Sequence, residues 1–230
     1  MTIDTMRIFL DTADVATIKE AYSTGLIDGI TTNPTLIMKS GKIPDRVYYE
    51  LKQLGIKDIS MEVVADTAKD MLEEASRLIG LFGDCVTIKV PCTPEGLLAC
   101  KEMANQNIRV NVTLIFSPSQ AILAAKAGAA YVSPFVGRVD DNSFGGLCLI
   151  KDISNIYTKQ HVLKTEILAA SIRNVRDVGR AFEYGAHVCT IPPSVFDKMY
   201  KHVLTDAGLA QFDKDWENVK SKVQSLREGT

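Results

Sequence analysis

The stretch VTIKVPCTPEG, running from Val86 to Gly96, asks for two kinds of structure in quick succession. Val86 to Pro91 is rich in β-branched side chains and reads as a strand buried on both faces. Thr93-Pro94-Glu95 then sets a capping hydroxyl ahead of a proline at the first helical position. The proline is harmless there, because the N–H it lacks would have had no partner inside the helix. A strand feeding directly into a helix is the unit of parallel α/β folds.

The same unit recurs outward in both directions. Strand-like runs are Arg7 to Asp11, Gly29 to Asn33, Ile59 to Val64, Val86 to Pro91, Ile108 to Ile115, Ala130 to Val136, Glu166 to Ser171 and His187 to Pro192, eight in all. Ser117-Pro118 repeats the helix start, and Gly25, Gly55 and Gly128 stand where helices should stop. Apolar faces with helical spacing lie between the strands: Val15, Ile18 and Tyr22; Met71, Leu72, Ala75 and Leu78; Val175, Val178 and Phe182. Eight such units over residues 1–230, with no Pro/Ser-rich linker between them, predict an α/β protein built as a single (β/α)8 TIM barrel. A doubly wound open sheet is the alternative, and it would place a Gly-rich phosphate loop after the first strand. Phe9-Leu10-Asp11 leads instead into Thr12-Ala13-Asp14, so the barrel is preferred. Past Gly208 an extra C-terminal helix, 208–225, carries Leu209, Phe212, Trp216 and Val219 on one face. That stripe calls for a cover, from its own barrel or from a neighbouring subunit.

Composition removes several classes of function. Lys plus Arg number 26 against 28 Asp plus Glu, for a net charge of −2, which is not the balance of a nucleic-acid-binding protein. The longest stretch free of charged residues, Val110 to Ala125, contains Asn111, Ser117, Pro118, Ser119 and Gln120 and does not suit a bilayer. Met1 to Leu10 carries Asp4 and Arg7 and no apolar run of signal length, so a cytoplasmic location is expected. Five cysteines form no C-x-x-C pair, and three distant histidines form no H-E-x-x-H, so no metal is called for.

Chemistry in a barrel enzyme gathers at the C-terminal ends of the strands. Those ends are polar here: Asp11, Thr31-Thr32-Asn33, Glu62, Lys89, Asn111 with Thr113, Phe135 to Arg138, and Ser171 with Arg173. Lys89 is the sharpest anomaly, an amine inside a strand that should be buried, where desolvation favours the neutral nucleophile. It could form a Schiff base with a carbonyl substrate, act as a general base, or pair structurally with Glu62. Asp11 and Glu62 add two carboxyl groups facing that lysine, enough for the proton transfers of carbinolamine chemistry. Arg138, Ser171 and Arg173 supply anion-binding capacity on adjacent strands, which favours a phosphorylated substrate.

At these residues the sequence resembles the transaldolase family, specifically its small single-barrel branch. The matching segments are IFLDTAD, DGITTNPTL, VTIKVPCTPEG, NVTLIFSPSQA, YVSPFVGRVDD and LAASIRN, spread over nearly the whole chain. The resemblance implies that Lys89 is the Schiff-base lysine, Asp11 the acid/base at the donor's C4 hydroxyl, and Glu62 with Thr113 the pair that positions a catalytic water. It places Asn33 and Asn111 on the dihydroxyacetone hydroxyls, with Ser133 nearby, and Arg138, Ser171 and Arg173 on the sugar phosphate. The implied reaction moves a dihydroxyacetone unit from a ketose phosphate to an aldose phosphate, in the pentose phosphate pathway. It needs no metal or cofactor, because the iminium is the electron sink. Fructose 6-phosphate aldolases of the same branch carry Gln and Tyr where this chain has Glu62 and Phe135, so transfer is favoured over release. The resemblance also implies a homo-oligomer, a decamer in which the C-terminal helix reaches a neighbouring barrel and covers Phe212 and Trp216. The double proline Pro192-Pro193 has no counterpart in this reading.

Overall fold

The computed structural model describes residues 5–228. The chain runs β1 (Arg7–Asp11), α1 (Val15–Ser23), β2 (Gly29–Thr31), α2 (Pro34–Ser40), α3 (Pro44–Gln53), β3 (Ile59–Glu62), α4 (Ala68–Phe82), β4 (Val86–Pro91), α5 (Pro94–Asn105) and β5 (Val110–Ile115). It continues through α6 (Pro118–Lys126), β6 (Tyr131–Pro134), α7 (Val136–Asp141), α8 (Gly146–Lys159), β7 (Glu166–Ala169), α9 (Val175–Glu183), β8 (Val188–Ile191), α10 (Pro193–Met199) and α11 (Val203–Glu228). The strands pair in sequence order, β1 to β8 and back to β1, as a closed barrel. Every pairing is parallel. The fold is therefore a (β/α)8 TIM barrel with an added C-terminal helix.

Local chemistry sets the element ends as expected. Thr93 and Ser117 accept hydrogen bonds from the backbone N–H groups of Gly96 and Gln120, with Pro94 and Pro118 opening α5 and α6. Gly25, Gly55 and Gly128 have φ of 73°, 79° and 87°, the left-handed stop that glycine takes without penalty. The same proline rule accounts for Pro193, which is the first residue of α10.

Several expectations need correction. β2, β3, β6 and β7 end at Thr31, Glu62, Pro134 and Ala169, short of the residues their apolar runs reached. Helical capping takes over at two of these ends, since Asn33 caps α2 and Phe135 immediately precedes α7. Two connections hold a pair of helices where one was read, because Gly41 at φ 67° stops α2 before Pro44 restarts the chain as α3. Ser143 at φ 62° stands likewise between α7 and α8. Val175 is exposed, leaving Val178 and Ala181 as the buried residues of α9. Gly208 lies inside α11 rather than ahead of it.

The chain divides into two compact units, one ending at Val195 and one beginning at Phe196. The first contains all eight strands. In the second, α11 bears Leu209, Phe212, Trp216 and Val219, all exposed. Among the described residues no helix is long and apolar enough to cross a membrane.

The barrel interior is graded. Phe9, Tyr131, Leu168, Ala170 and Val188 form an apolar cluster within it. Gly29 makes room for this cluster, because a Cβ there would sit 2.7 Å from the Phe9 ring. Toward the N-terminal ends of the strands a charged network closes the barrel around Asp58, which is 6% exposed. Thr87 Oγ1 donates to Asp58 Oδ1 at 2.8 Å, while Tyr131 OH and Arg109 Nη1 donate to Oδ2 at 2.9 and 3.2 Å. Arg7 donates in turn to Tyr131 OH and pairs with Glu166. A buried carboxylate is tolerable only when so provided for, and removing it strands its donors. Asp58→Ala should therefore cost about 3 kcal/mol of stability, read as a lower urea midpoint at unchanged m-value.

Candidate active site

At the opposite ends of the strands the polar groups converge on Lys89. Parallel register pairs Lys89 with Glu62 on one side and Asn111 on the other, so all three side chains point into the barrel at one level. Lys89 Nζ lies 2.9 Å from Glu62 Oε2, with only 7% and 18% of the two side chains exposed. The amine also donates to the carbonyl oxygen of Thr32 at 3.1 Å. Glu62 Oε2 makes no aligned hydrogen bond among the described residues, so its contact with the lysine is one of charge. Of the roles the sequence left open, this arrangement contains the ion pair, and it also brings a proton acceptor to the amine.

The Thr32 carbonyl is itself held in place. Thr32 Oγ1 donates to the carbonyl of Ser60 at 3.0 Å, so the Tyr48 phenol, 3.1 Å away, must donate to Thr32. Burial pushes the Tyr48 phenol above its ordinary pKa, which keeps it a donor. Tyr48 belongs to α3, and nothing in its sequence context pointed to the site.

Asp11, the last residue of β1, receives a hydrogen bond from Thr31 Oγ1 at 2.8 Å. Thr31 has only one proton to give, so Thr190, 2.6 Å away, donates to Thr31. This relay from β8 through β2 orients the Asp11 carboxyl. The carboxyl is largely surrounded by protein, and the loss of water pushes its pKa above the usual aspartate value. The charge of Lys89 and the Thr31 hydrogen bond oppose that rise without cancelling it. Such a carboxyl takes up and returns a proton more readily than a free aspartate would.

A second polar chain crosses the other side of the lysine. Ser133 Oγ donates to Asn111 Oδ1 at 2.6 Å, and Asn111 Nδ2 donates to Ser60 Oγ at 3.2 Å. Thr113 Oγ1, 1% exposed as a residue, has no partner among the described residues. Asn33 has its Oδ1 committed to capping Leu36 N, 3.0 Å away, leaving its amide N–H groups for other use.

The rim differs from the sequence reading in one respect. Arg138 Cζ lies over the Phe135 ring at 4.7 Å from its centroid and makes no ion pair among the described residues. Phe116 packs edge-on against the same ring. Arg173, by contrast, is bound through both terminal nitrogens to the carboxylate of Asp141. The two arginines expected to act together are thus in different electrostatic states.

Eight of the eleven residues singled out line one small cavity of about 20 Å³: Asp11, Asn33, Lys89, Asn111, Thr113, Ser133, Phe135 and Ser171. Glu62 joins them through Lys89 but opens instead, with Asn33 and Tyr48, onto a neighbouring cavity of about 270 Å³. Arg138 and Arg173 stand outside both. Thr31 and Thr32 were read only as part of a polar strand end, and Ser60, Tyr48 and Thr190 were not singled out as site residues, because a neutral hydroxyl carries no charge to mark it. Among the described residues no group of three or more His, Cys, Asp or Glu side chains could hold a metal ion.

Comparison with known proteins identifies the family. The chain is 50% identical over 222 residues to a protein of Nitrosopumilus maritimus named probable transaldolase, covering 96% of this chain and all of that one. It is 53% identical over 211 residues to a probable transaldolase of Caulobacter vibrioides, covering 92% and 96% of the two chains. Among solved structures a mandelate oxidase variant superposes with a TM-score of 0.57 at 14% identity, over 84% of this chain and 66% of that one, a likeness of fold alone. The family model for transaldolase/fructose-6-phosphate aldolase matches residues 8–223, and the chain belongs to that family.

Proposed function

We propose that this protein is a transaldolase that moves a dihydroxyacetone unit between sugar phosphates through a Schiff base on Lys89. The observation that carries the reading is a buried amine in contact with Glu62, on the wall of a cavity it shares with Asp11. The names of the relatives point the same way. Glu62 accepts the proton that frees the amine for attack on the donor ketone, a role its 2.9 Å contact with Lys89 supports. The carbinolamine then loses water to give an iminium, with Glu62 and Thr113 holding the water that leaves and later returns. Asp11 takes the proton of the C4 hydroxyl as the C3–C4 bond breaks. An aldehyde departs, and the bonding electrons pass into the iminium to give an enamine. Addition of an aldose phosphate reverses these steps. Donors are fructose 6-phosphate or sedoheptulose 7-phosphate, and acceptors erythrose 4-phosphate or glyceraldehyde 3-phosphate, as in the non-oxidative pentose phosphate pathway. The family description also covers aldolases that release dihydroxyacetone. Transfer is favoured because Phe135, packed on Phe116 and Arg138, offers no hydroxyl to protonate the enamine.

Borohydride reduction with fructose 6-phosphate and no acceptor should leave a three-carbon adduct on Lys89, with little free dihydroxyacetone. Lys89→Met should give neither adduct nor turnover in a folded protein. An adduct on another residue refutes the Schiff-base assignment, whereas continuous release of dihydroxyacetone makes the protein an aldolase.

The Asp11 environment predicts a pH effect. The Thr31 hydrogen bond stabilises the charged carboxylate, so Thr31→Val should raise the Asp11 pKa further. The acid limb of the kcat/KM profile should move to higher pH, and a limb that stays in place excludes Asp11 as its source.

Arg138 and Arg173 should separate in the phosphate response. Loss of a charge-assisted hydrogen bond makes Arg138→Ala raise KM for phosphorylated donors about tenfold or more, with little change for unphosphorylated analogues. Arg173→Ala should have the smaller selective effect, because its guanidinium is already shared with Asp141. Steady-state kinetics with matched donor pairs decides both.

A further inference from the structure

Six described residues other than glycine have positive φ: Met6, Asn107, Leu114, Ser143, His161 and Ser171. Asn107, Ser143 and His161 each come directly after the cap that ends a helix, α5, α7 and α8 respectively, where the left-handed conformation is ordinary. Met6 precedes the barrel. Leu114 and Ser171 remain, both at the mouth that contains Lys89. Leu114, at φ 59°, is the one that lies inside a strand. A bulky L-residue disfavours that conformation wherever it stands.

The pairing of β5 with β6 shows what the conformation accomplishes. Val112 pairs with Val132 and Ile115 with Pro134, so Thr113 and Leu114 together oppose the single residue Ser133. This is a β-bulge, with one extra residue inserted in β5. Asn111 and Thr113 point into the barrel, where they line the cavity beside Lys89. In an unbroken strand Ile115 would be the next side chain to point inward, because side chains alternate. The bulge instead pairs Ile115 with Pro134, which lies on the opposite face from Ser133, and Ile115 is fully buried in the outer layer. The Thr113 hydroxyl is thus left in the mouth without a hydrogen-bond partner among the described residues, and Ile115 does not follow it inward.

We propose that Leu114 is a positioning residue, whose left-handed backbone creates the bulge that turns Ile115 away from the mouth and so leaves the Thr113 hydroxyl open to it. The catalytic part of this inference rests on the Schiff-base reading. The identity of the side chain at position 114 should matter little, and its tolerance of positive φ should matter greatly.

Three variants separate these alternatives. Glycine and asparagine accept the left-handed conformation, whereas valine resists it. Leu114→Gly and Leu114→Asn should keep kcat within about threefold of wild type, whereas Leu114→Val should lose about tenfold or more in kcat with donor KM little changed. Combining Leu114→Val with Thr113→Val should be no worse than the poorer single variant, because the first covers with Ile115 the same hydroxyl that the second removes. Rates that track apolarity, with valine near wild type and asparagine impaired, overturn the proposal. So does full additivity of the two valine substitutions. Should Leu114→Val fail to fold, Leu114→Asn still decides, since an active asparagine variant supports the backbone role and an inactive folded one refutes it. Borohydride trapping on the wild type runs alongside. If it yields no Lys89 adduct, the reaction reading fails, and the backbone role is then read from urea midpoints, which should place valine below glycine and asparagine. The reverse order overturns it.

Discussion

The contact between Lys89 and Glu62 is the constraint around which the site is arranged. Two ionisable side chains on neighbouring strands occupy one level of the barrel because parallel register pairs their Cα atoms directly. Burial makes each intolerable without the other, and the Thr32 carbonyl supplies the remaining fixed contact to the amine. The Thr32 hydroxyl is in turn held between the Ser60 carbonyl and the Tyr48 phenol, so a helix outside the barrel helps to fix the residue that holds the amine. On the proposed Schiff-base reading, the amine is thereby aimed before any substrate arrives, which is where much of an enzyme's advantage lies.

The two ends of the barrel hold buried polar clusters of different kinds. Asp58 at the lower end receives hydrogen bonds from Thr87, Tyr131 and Arg109, and its capacity is largely used. At the upper end Glu62 Oε2 and Thr113 Oγ1 are buried and retain hydrogen-bonding capacity that no described residue fills. A buried group left with spare hydrogen-bonding capacity needs an explanation, and binding something that comes and goes is one. The same distinction separates the rim arginines: Arg173 is neutralised by Asp141, whereas Arg138 rests on an aromatic face with its N–H groups available.

Much of this was legible before the fold was known. Lys89 and Glu62 stood out because a charge inside a β-branched run contradicts its surroundings, and Asp11 because it closes the first apolar run. The residues that orient them were unmarked or, like Thr31, legible only as part of a polar strand end. Thr31 and Thr190 lie 159 positions apart yet share one hydrogen bond, and neither carries a charge or an unusual context. The pairing of Arg173 with Asp141 was equally hidden, since an arginine at a strand end reads the same whether or not a carboxylate awaits it. The strand ends were overrun at Asn33, Val64, Val136 and Ser171, because apolar or β-branched character continues past the last ladder bond.

By itself the sequence determined the alternation of strand and helix, the barrel that eight such units must close, and the charged residues that would face its mouth. These are consequences of local periodicity and of burial, which act on each segment wherever it ends up. Only the tertiary structure decided which hydroxyl orients which carboxylate, which arginine stays unpaired, and that β5 bulges at Leu114. Those outcomes depend on the register between strands distant in the chain, and register is set by the closed barrel as a whole.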